Sequence, residues 1–178
     1  LPAGSNDIVP KKPLSIVLAL SEKIDYLTSL WGIGIKPTGN KDPFALRRTS
    51  LGIIRIILEN NLDIDLDYLI DITGFDFNKS DLQLFLKERI VYYLTEKNYD
   101  KKIVKAVVER YNLAFLPILP RVIAEITQFI SSDSGVRVLA MYKRVSNFIS
   151  YNSELFTSEE QFSEEYVNEE DKLLKGQL

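Results

Sequence analysis

The sequence predicts an all-α protein built from one or more helical bundles. Apolar residues recur at spacings of three and four along nearly the whole chain, which is the period of an amphipathic helix. No segment keeps the alternating pattern of a strand, and no repeat of fixed period suggests a solenoid. A chain of 178 residues with a 46% hydrophobic fraction can bury a substantial core.

Helix boundaries follow from capping residues and helix breakers. Asp42 is predicted as an N-cap with Pro43 at the first helical position, where its missing N–H costs nothing. Asp65 and Asp100 are predicted to cap the third and fifth helices, and Gly74 to end the third. The predicted helices span residues 14–31, 44–60, 65–72, 80–98, 101–111, 117–131 and 134–151.

The composition excludes several classes of chemistry. The chain contains no His and no Cys, so an imidazole base, a thiolate nucleophile, a zinc cluster and a disulfide framework are all ruled out. We therefore expect no catalytic residue and no metal ligand in this chain. Absence of Cys is also typical of a protein from the reducing cytoplasm, and we identify no signal peptide and no apolar run long enough to cross a membrane.

Charge divides the chain into two zones. From Glu154 to the end there are eight acidic and two basic residues, which leaves 20 basic and 17 acidic residues, a net charge of +3, in the remainder. Ser158 and Gln161 can form a capping box, which predicts a last helix over residues 159–174 with a thin apolar face. The body of the protein is thus mildly basic, and only this body would have to contact nucleic acid.

The segment Gly32–Arg48, GIGIKPTGNKDPFALRR, is a glycine-punctuated loop that leads into a helix. A phosphate-binding P-loop needs Lys directly after its last Gly and Ser or Thr after that Lys, whereas here Asn40 intervenes and Asp42 follows Lys41. The helical period of residues 16–31 also argues against the strand that must precede a P-loop. From these residues alone, a structural helix-loop-helix connector is the favoured interpretation.

The same loop resembles the beta subunit of the bacterial tetrameric glycyl-tRNA synthetase, whose chains carry a very similar GIG-KPTG-KDPFALRR run. Leu20–Asp25 before the loop and Leu51–Ile56 after it also match that family. Lys143–Asn147 resembles the family's KRVSN run, and the likeness covers residues 1 to about 151. The position of these motifs in the family predicts that the chain is a C-terminal region of a longer protein.

The resemblance implies a domain organisation. Residues 1–75 would be a helical segment from the end of an HD-like domain, and residues 76–153 a DALR-like anticodon-binding helical bundle. Residues 154–178 would form an acidic tail or helix. The HD-type phosphohydrolases depend on His-Asp pairs, which this chain lacks.

The resemblance also implies partners. The beta subunit would grip tRNA(Gly) while the alpha subunit of an alpha2-beta2 tetramer attaches glycine with ATP and magnesium, so this chain would be non-catalytic and bind no cofactor. A helical scaffold that mainly mediates subunit assembly, with weak RNA contact, remains the alternative. Exposed apolar residues around Trp31–Ile35 would favour that scaffold.

Candidate tRNA-binding residues lie on two helices with basic character. A helical wheel of residues 135–151 places Arg137, Lys143, Arg144 and Asn147 opposite an apolar side, where cations can contact phosphate and Asn can bind bases. A solvated polar face is the alternative interpretation. Arg89 falls on the apolar stripe of the 80–98 helix, where it is expected to snorkel, form an ion pair or point into an RNA groove.

Overall fold

The computed structural model describes residues 8–151, and in this range it confirms the all-α prediction. It contains seven α-helices and a 3-10 segment, with no strand among the described residues. The α-helices are α1 (Pro13–Gly32), α2 (Leu46–Glu59), α3 (Leu66–Asp71), α4 (Lys79–Glu96), α5 (Lys101–Arg110), α6 (Leu119–Ile130) and α7 (Asp133–Tyr151). The 3-10 segment, Leu113–Ile118, lies between α5 and α6.

Helix α2 forms the centre of the core of the first compact unit, residues 1–128. Its apolar side chains Ile53, Ile54, Ile56 and Ile57 are completely buried. α2 packs against α1 and α4, α4 packs against α5, and α3 contacts the 3-10 segment. A strongly apolar helix surrounded by neighbours on several sides is what its near-continuous isoleucine run predicts.

The start of α2 differs from the sequence prediction. Pro43 and Phe44 form a turn rather than the first helical positions, and Ala45 adopts a left-handed conformation with φ 52°. The Asp42 carboxylate accepts hydrogen bonds from the backbone amides of Leu46 at 2.8 Å and Arg47 at 3.0 Å. The predicted N-cap at Asp42 and the predicted start at Pro43 are both wrong, because an extra turn makes Ala45 the N-cap residue; the Asp42 carboxylate still bonds to the first two amides of the helix from outside that position.

The predicted caps of α3 and α5 are confirmed. The Asp65 carboxylate accepts from the amide of Tyr68 at 3.0 Å, and the Asp100 carboxylate accepts from the amides of Lys102 and Ile103. Gly74, at φ 71°, follows α3 as predicted. These side chains satisfy amides that have no partner within the helix.

Most other helix boundaries differ from the prediction by one or two residues, and two of the helix starts have an identifiable cause. α4 begins one residue before the predicted start, because the side chain of Asn78 accepts from the amide of Asp81 and acts as the cap. Pro117, the predicted opening of the sixth helix, lies inside the 3-10 segment, and α6 begins at Leu119.

The chain forms two compact units that meet between residues 128 and 129 of the sequence. The sequence instead predicts a domain boundary between residues 75 and 76. The predicted boundary falls inside the first unit, where α4 packs against α2. The assignment of the domains to HD-like and DALR-like classes stays a prediction. The predicted helix at 159–174 and the acidic tail at 154–178 lie outside the described residues.

One stretch, Leu113–Ile130, has a mean hydropathy of 1.5 over 18 residues, so by length and composition alone it could cross a membrane. The expectation that no apolar run is long enough is therefore wrong. The stretch is divided between the 3-10 segment and α6, and Leu113, Leu116, Leu119 and Ile123 are buried in the core. Core helices of soluble proteins have the same composition, so the stretch is weak evidence for a membrane span.

Candidate nucleic-acid interface

A tight turn positions the start of α7, the helix that carries most of the predicted site. The Ser132 hydroxyl donates to the carbonyl oxygen of Phe129 at 2.7 Å and accepts from the amide of Gly135 at 3.1 Å. A Cβ added to Gly135 would lie 2.0 Å from the carbonyl oxygen of Phe129. Glycine is therefore required sterically at this position, a constraint that no local sequence pattern indicates.

The structure places the four predicted residues of α7 on one helix and leaves them exposed. Arg137, Lys143, Arg144 and Asn147 lie within an arc of about 120° if successive residues turn by about 100°. Residues 134–151 contain no Asp or Glu, so no carboxylate on this helix beyond Asp133 opposes the cations. Arg137 contacts the hydroxyl of Ser134 at 3.4 Å. The arrangement can attract an anion; its role in RNA binding stays a prediction.

The opposite side of α7 is apolar and also exposed among the described residues. Only Gly135 of this helix is buried. The side chain of Tyr142 is 71% exposed and that of Val145 is 55% exposed. A continuous apolar stripe, here called the α7 stripe, is formed by Val138, Met141, Tyr142, Val145, Phe148 and Ile149.

Arg89 lies on α4, in the first compact unit, and is half-buried. Its guanidinium carbon lies 5.7 Å from the centre of the Phe85 ring, and Nη2 lies 3.5 Å from a carboxylate oxygen of Glu88. Nε is buried with no hydrogen-bond partner among the described residues. Arg89 is thus partly buried along its stem and forms a weak ion pair with Glu88, as the two structural alternatives predicted. Its guanidinium still has N–H groups without a partner among the described residues.

Next to Arg89, an aromatic pair attaches the glycine-rich loop to α4. The rings of Trp31 and Phe85 lie 4.9 Å apart, and the Lys36 ammonium lies 5.4 Å from the centre of the Trp31 ring. Lys36 also forms an ion pair with Asp81. The Trp31 side chain is only 3% exposed. The ring therefore belongs to the core and adds no apolar surface that a partner could contact.

Within the loop, internal contacts fix the backbone. Gly34 and Gly39 have positive φ values, and Thr38 and Lys41 exchange backbone hydrogen bonds of 3.0 and 2.8 Å. Arg47 donates from Nη2 to the carbonyl oxygen of Gly39 at 2.6 Å. These contacts support the interpretation of residues 32–48 as a structural connector.

A polar cluster on α2 and α4 was not identified from the sequence. Arg55, which is 8% exposed, donates from Nε to Glu59 at 2.8 Å, and the Tyr93 hydroxyl donates to the same oxygen at 3.2 Å. Burial opposes ionisation of Glu59, but its bonds from Arg55 and Tyr93 hold the pKa of the carboxyl below its usual value. Burial and the Glu59 charge raise the pKa of Tyr93 to about 12. The sequence does contain one signal for this cluster: Arg55 interrupts an isoleucine run and lies four residues before Glu59, the spacing of an ion pair on a helix.

An apolar cavity of about 340 Å³ opens between α1 and the α3 region. Its lining includes Val17, Leu20 and Ile24 from α1 and Leu69 and Ile72 from the α3 region. Among the described residues no group of three or more His, Cys, Asp or Glu side chains could hold a metal ion.

The fold and the candidate site define an all-α protein with an exposed cationic helix. The sequence model of the glycyl-tRNA synthetase beta subunit matches residues 1–109 of this chain. The chain belongs to the glycyl-tRNA synthetase beta-subunit family, which confirms the resemblance carried by its motifs.

Curated relatives support the same assignment. The glycine–tRNA ligase beta subunit of Ruegeria sp. (strain TM1040) is 34% identical over 153 residues, 86% of this chain and 22% of the relative. That of Rickettsia canadensis (strain McKiel) is 40% identical over 154 residues, 83% of this chain and 23% of the relative. The chain therefore spans less than a quarter of the length of the relatives it matches.

Proposed function

We propose that this chain is a tRNA-binding region of a glycyl-tRNA synthetase beta subunit. In this proposal, it grips tRNA(Gly) in the cytoplasm while the alpha subunit attaches glycine with ATP and magnesium. The chain itself is non-catalytic and binds no cofactor. The observation that carries the proposal is the exposed set of Arg137, Lys143, Arg144 and Asn147 on one side of α7, in a family whose relatives are named glycine–tRNA ligase beta subunits.

Electrostatics supports an anionic partner for α7. The three cations occur in residues 134–151 without a carboxylate in that segment, so their fields add instead of cancelling. Exposed Lys and Arg side chains can neutralise phosphates and release counterions, which gives a salt-dependent affinity. Asn147 adds an amide that can donate to and accept from an unpaired base.

Arg89 is a second proposed contact. Its guanidinium lies over the Phe85 ring, and Nη2 has only a 3.5 Å contact with the Glu88 carboxylate, so the terminal nitrogens keep donors for a phosphate or a base. The nearby Tyr92 is half-exposed on the same helix and could stack on a base.

Titration of the protein with labelled tRNA(Gly) and a non-cognate tRNA at several salt concentrations tests the proposal. We expect preferential binding of tRNA(Gly) that weakens with salt. In the variant Lys143→Glu/Arg144→Glu, loss of two phosphate contacts should reduce the slope of log K against log salt by roughly 1.4 to 1.8.

The matched control is Lys101→Glu/Lys102→Glu, which makes the same charge change at two exposed positions at the start of α5. Acidic residues are favourable at a helix start, so this variant should fold normally. It should bind tRNA nearly as the parent does. If both variants lose affinity equally, binding depends on net charge alone, and if neither does, α7 is not the RNA surface.

One observation favours the scaffold alternative. Leu14, Val17 and Leu18 are exposed on α1, beside the apolar cavity, whereas of the Trp31–Ile35 segment only Ile33 is a largely exposed apolar side chain. In this alternative α1 contacts another part of the synthetase. The variant Val17→Asp/Leu18→Asp would then weaken assembly of the whole enzyme while leaving tRNA affinity unchanged, and sedimentation of the assembled enzyme would measure it.

A further inference from the structure

We propose that Phe85 is a positioning residue for RNA binding: its ring holds the Arg89 guanidinium so that the terminal nitrogens of Arg89 meet a tRNA phosphate. The inference rests on the proposed function, in which Arg89 is a tRNA contact. It assigns a role to an aromatic side chain of α4 that contacts both the buried Trp31 ring and this cation.

Helical spacing places Phe85 next to Arg89. Residues four apart on a helix are neighbours on its surface, whereas adjacent residues point in different directions. The Arg89 guanidinium carbon accordingly lies 5.7 Å from the centre of the Phe85 ring, inside the range of about 6 Å over which a cation and a ring attract. Glu88, the adjacent residue, offers only a 3.5 Å contact from a side chain that is 61% exposed. The ring is therefore the contact that fixes the direction of the Arg89 side chain.

The Phe85 ring is itself held in place. It lies 4.9 Å from the ring of Trp31, which is buried in the core. The Lys36 ammonium lies 5.4 Å from the centre of the Trp31 ring and forms an ion pair with Asp81, one turn before Phe85 on α4. Because a packed interior resists displacement of its side chains, these contacts keep the Phe85 ring beside Arg89.

Burial of Nε determines which atoms of Arg89 an RNA strand can reach. Nε is buried and has no hydrogen-bond partner among the described residues, so no outside acceptor can approach it. A phosphate must therefore bind the two terminal nitrogens, whose N–H groups form part of a planar fork. Such a fork binds strongly only when its direction is fixed beforehand, because ordering a long side chain during binding costs conformational entropy. Phe85 fixes that direction in the free protein.

A double-mutant cycle on tRNA affinity tests this role. Anisotropy of labelled tRNA(Gly) at low salt is measured for the parent, Arg89→Met, Phe85→Leu and the double variant. We expect Arg89→Met to weaken binding about tenfold, through loss of a charge-assisted phosphate contact, and Phe85→Leu to weaken it about threefold. In the Arg89→Met background Phe85→Leu should cause no further loss, whereas an independent structural role would cause the same loss in both backgrounds.

Two control variants separate the ring and the cation from general effects. Phe85→Tyr keeps the aromatic ring and should bind tRNA as the parent does. Lys97→Met removes a cation that lies 5.6 Å from the centre of the Tyr93 ring on the same helix and that is not a proposed tRNA contact, so it should also keep the parent affinity. A tenfold loss in Lys97→Met would assign the Arg89→Met effect to net charge and overturn the positioning role.

The outcomes distinguish this role from the proposed function. Additive losses in the cycle, or an unchanged affinity in Phe85→Leu beside a loss in Arg89→Met, would overturn the positioning role and leave the proposed function standing. Parent affinity in Arg89→Met would remove Arg89 from the tRNA contacts and the role of Phe85 with it. A parent protein that binds no tRNA would refute the proposed function, and this role as its consequence.

Nuclear magnetic resonance of the parent provides a measurement that needs no folded Phe85 variant. The Nε–H signal of Arg89, assigned by its disappearance in Arg89→Met, should show a nuclear Overhauser contact to the Phe85 ring. Its proton should exchange with water at least about tenfold more slowly than the Nε–H proton of Arg110, an exposed residue. Absence of the contact to the ring, or exchange as fast as that of Arg110, would overturn the proposal.

Discussion

Two ion pairs with the same geometry but different burial allow a direct test of what the α2 cluster contributes to stability. Arg55 to Glu59 and Arg121 to Glu125 are both spaced i, i+4, and in both the Nε to Oε1 distance is 2.8 Å. The side chains of the first pair are 10% and 27% exposed, those of the second 83% and 61%. Both pairs lie in the first compact unit, so the same unfolding transition reports on them.

The expected magnitudes follow from this difference. Glu59→Ala removes hydrogen bonds from Arg55 and Tyr93 to a carboxylate, and bonds to a charged group are worth about 1.5–3 kcal/mol. Glu125→Ala removes an exposed pair, which is worth about 0.3–0.5 kcal/mol. The same Glu-to-Ala change alters intrinsic helix propensity similarly in both variants, so that contribution largely cancels.

Urea unfolding followed by fluorescence provides the measurement, because the single tryptophan, Trp31, is buried against Phe85 in the same unit. We expect Glu59→Ala to lower the free energy of unfolding by about 2 kcal/mol and Glu125→Ala by about 0.4 kcal/mol. A double-mutant cycle with Arg55→Met would separate the pair from packing changes. Equal losses for the two variants would refute the argument that burial gives the Glu59 pair its value.

The remaining predictions concern pH, the turn before α7 and a helix cap. The pKa of Glu59 in the folded protein lies below the usual 4.5, so the stability that its carboxylate contributes is fully present above pH 4.5 and is lost as the pH falls through the folded pKa. The difference in unfolding free energy between the parent and Glu59→Ala should therefore become smaller in acid. Gly135→Ala should reduce the far-UV circular dichroism of the helices and speed amide exchange in residues 133–151, because the new Cβ would meet the Phe129 carbonyl; unchanged exchange would contradict this steric argument. Asp100→Ala should cost about 1 kcal/mol in urea unfolding through loss of an N-cap, whereas Asp63→Ala, at a loop position, should cost little.

Much of the fold could be predicted because the relevant signals are local. Asp65 and Asp100 cap the helices that the sequence indicated. This cap is predictable because its carboxylate bonds to backbone amides no more than three residues further along the chain. The start of α2 could not be predicted, because it depends on Ala45 taking a left-handed conformation that alanine seldom adopts. Pro117 likewise indicated the right region but not the 3-10 geometry.

The candidate site shows the same limit. The arc of Arg137, Lys143, Arg144 and Asn147 follows from helical periodicity, so sequence was sufficient to group them. Periodicity does not reveal whether the opposite side is buried, and the α7 stripe is exposed among the described residues. In the Arg55 cluster only the Arg55 to Glu59 spacing is local; Tyr93 reaches Glu59 across 34 positions of sequence, a separation that no local pattern encodes.

The turn at Asp42 has a consequence for anion recognition. The free amides of a helix start carry partial positive charge and can bind phosphate. At the start of α2 two of those amides, of Leu46 and Arg47, already bind the Asp42 carboxylate. A nucleotide phosphate approaching the glycine-rich loop would have to displace a covalently attached anion of the same sign. The loop therefore supplies its own carboxylate to the amides that a P-loop would offer to a phosphate.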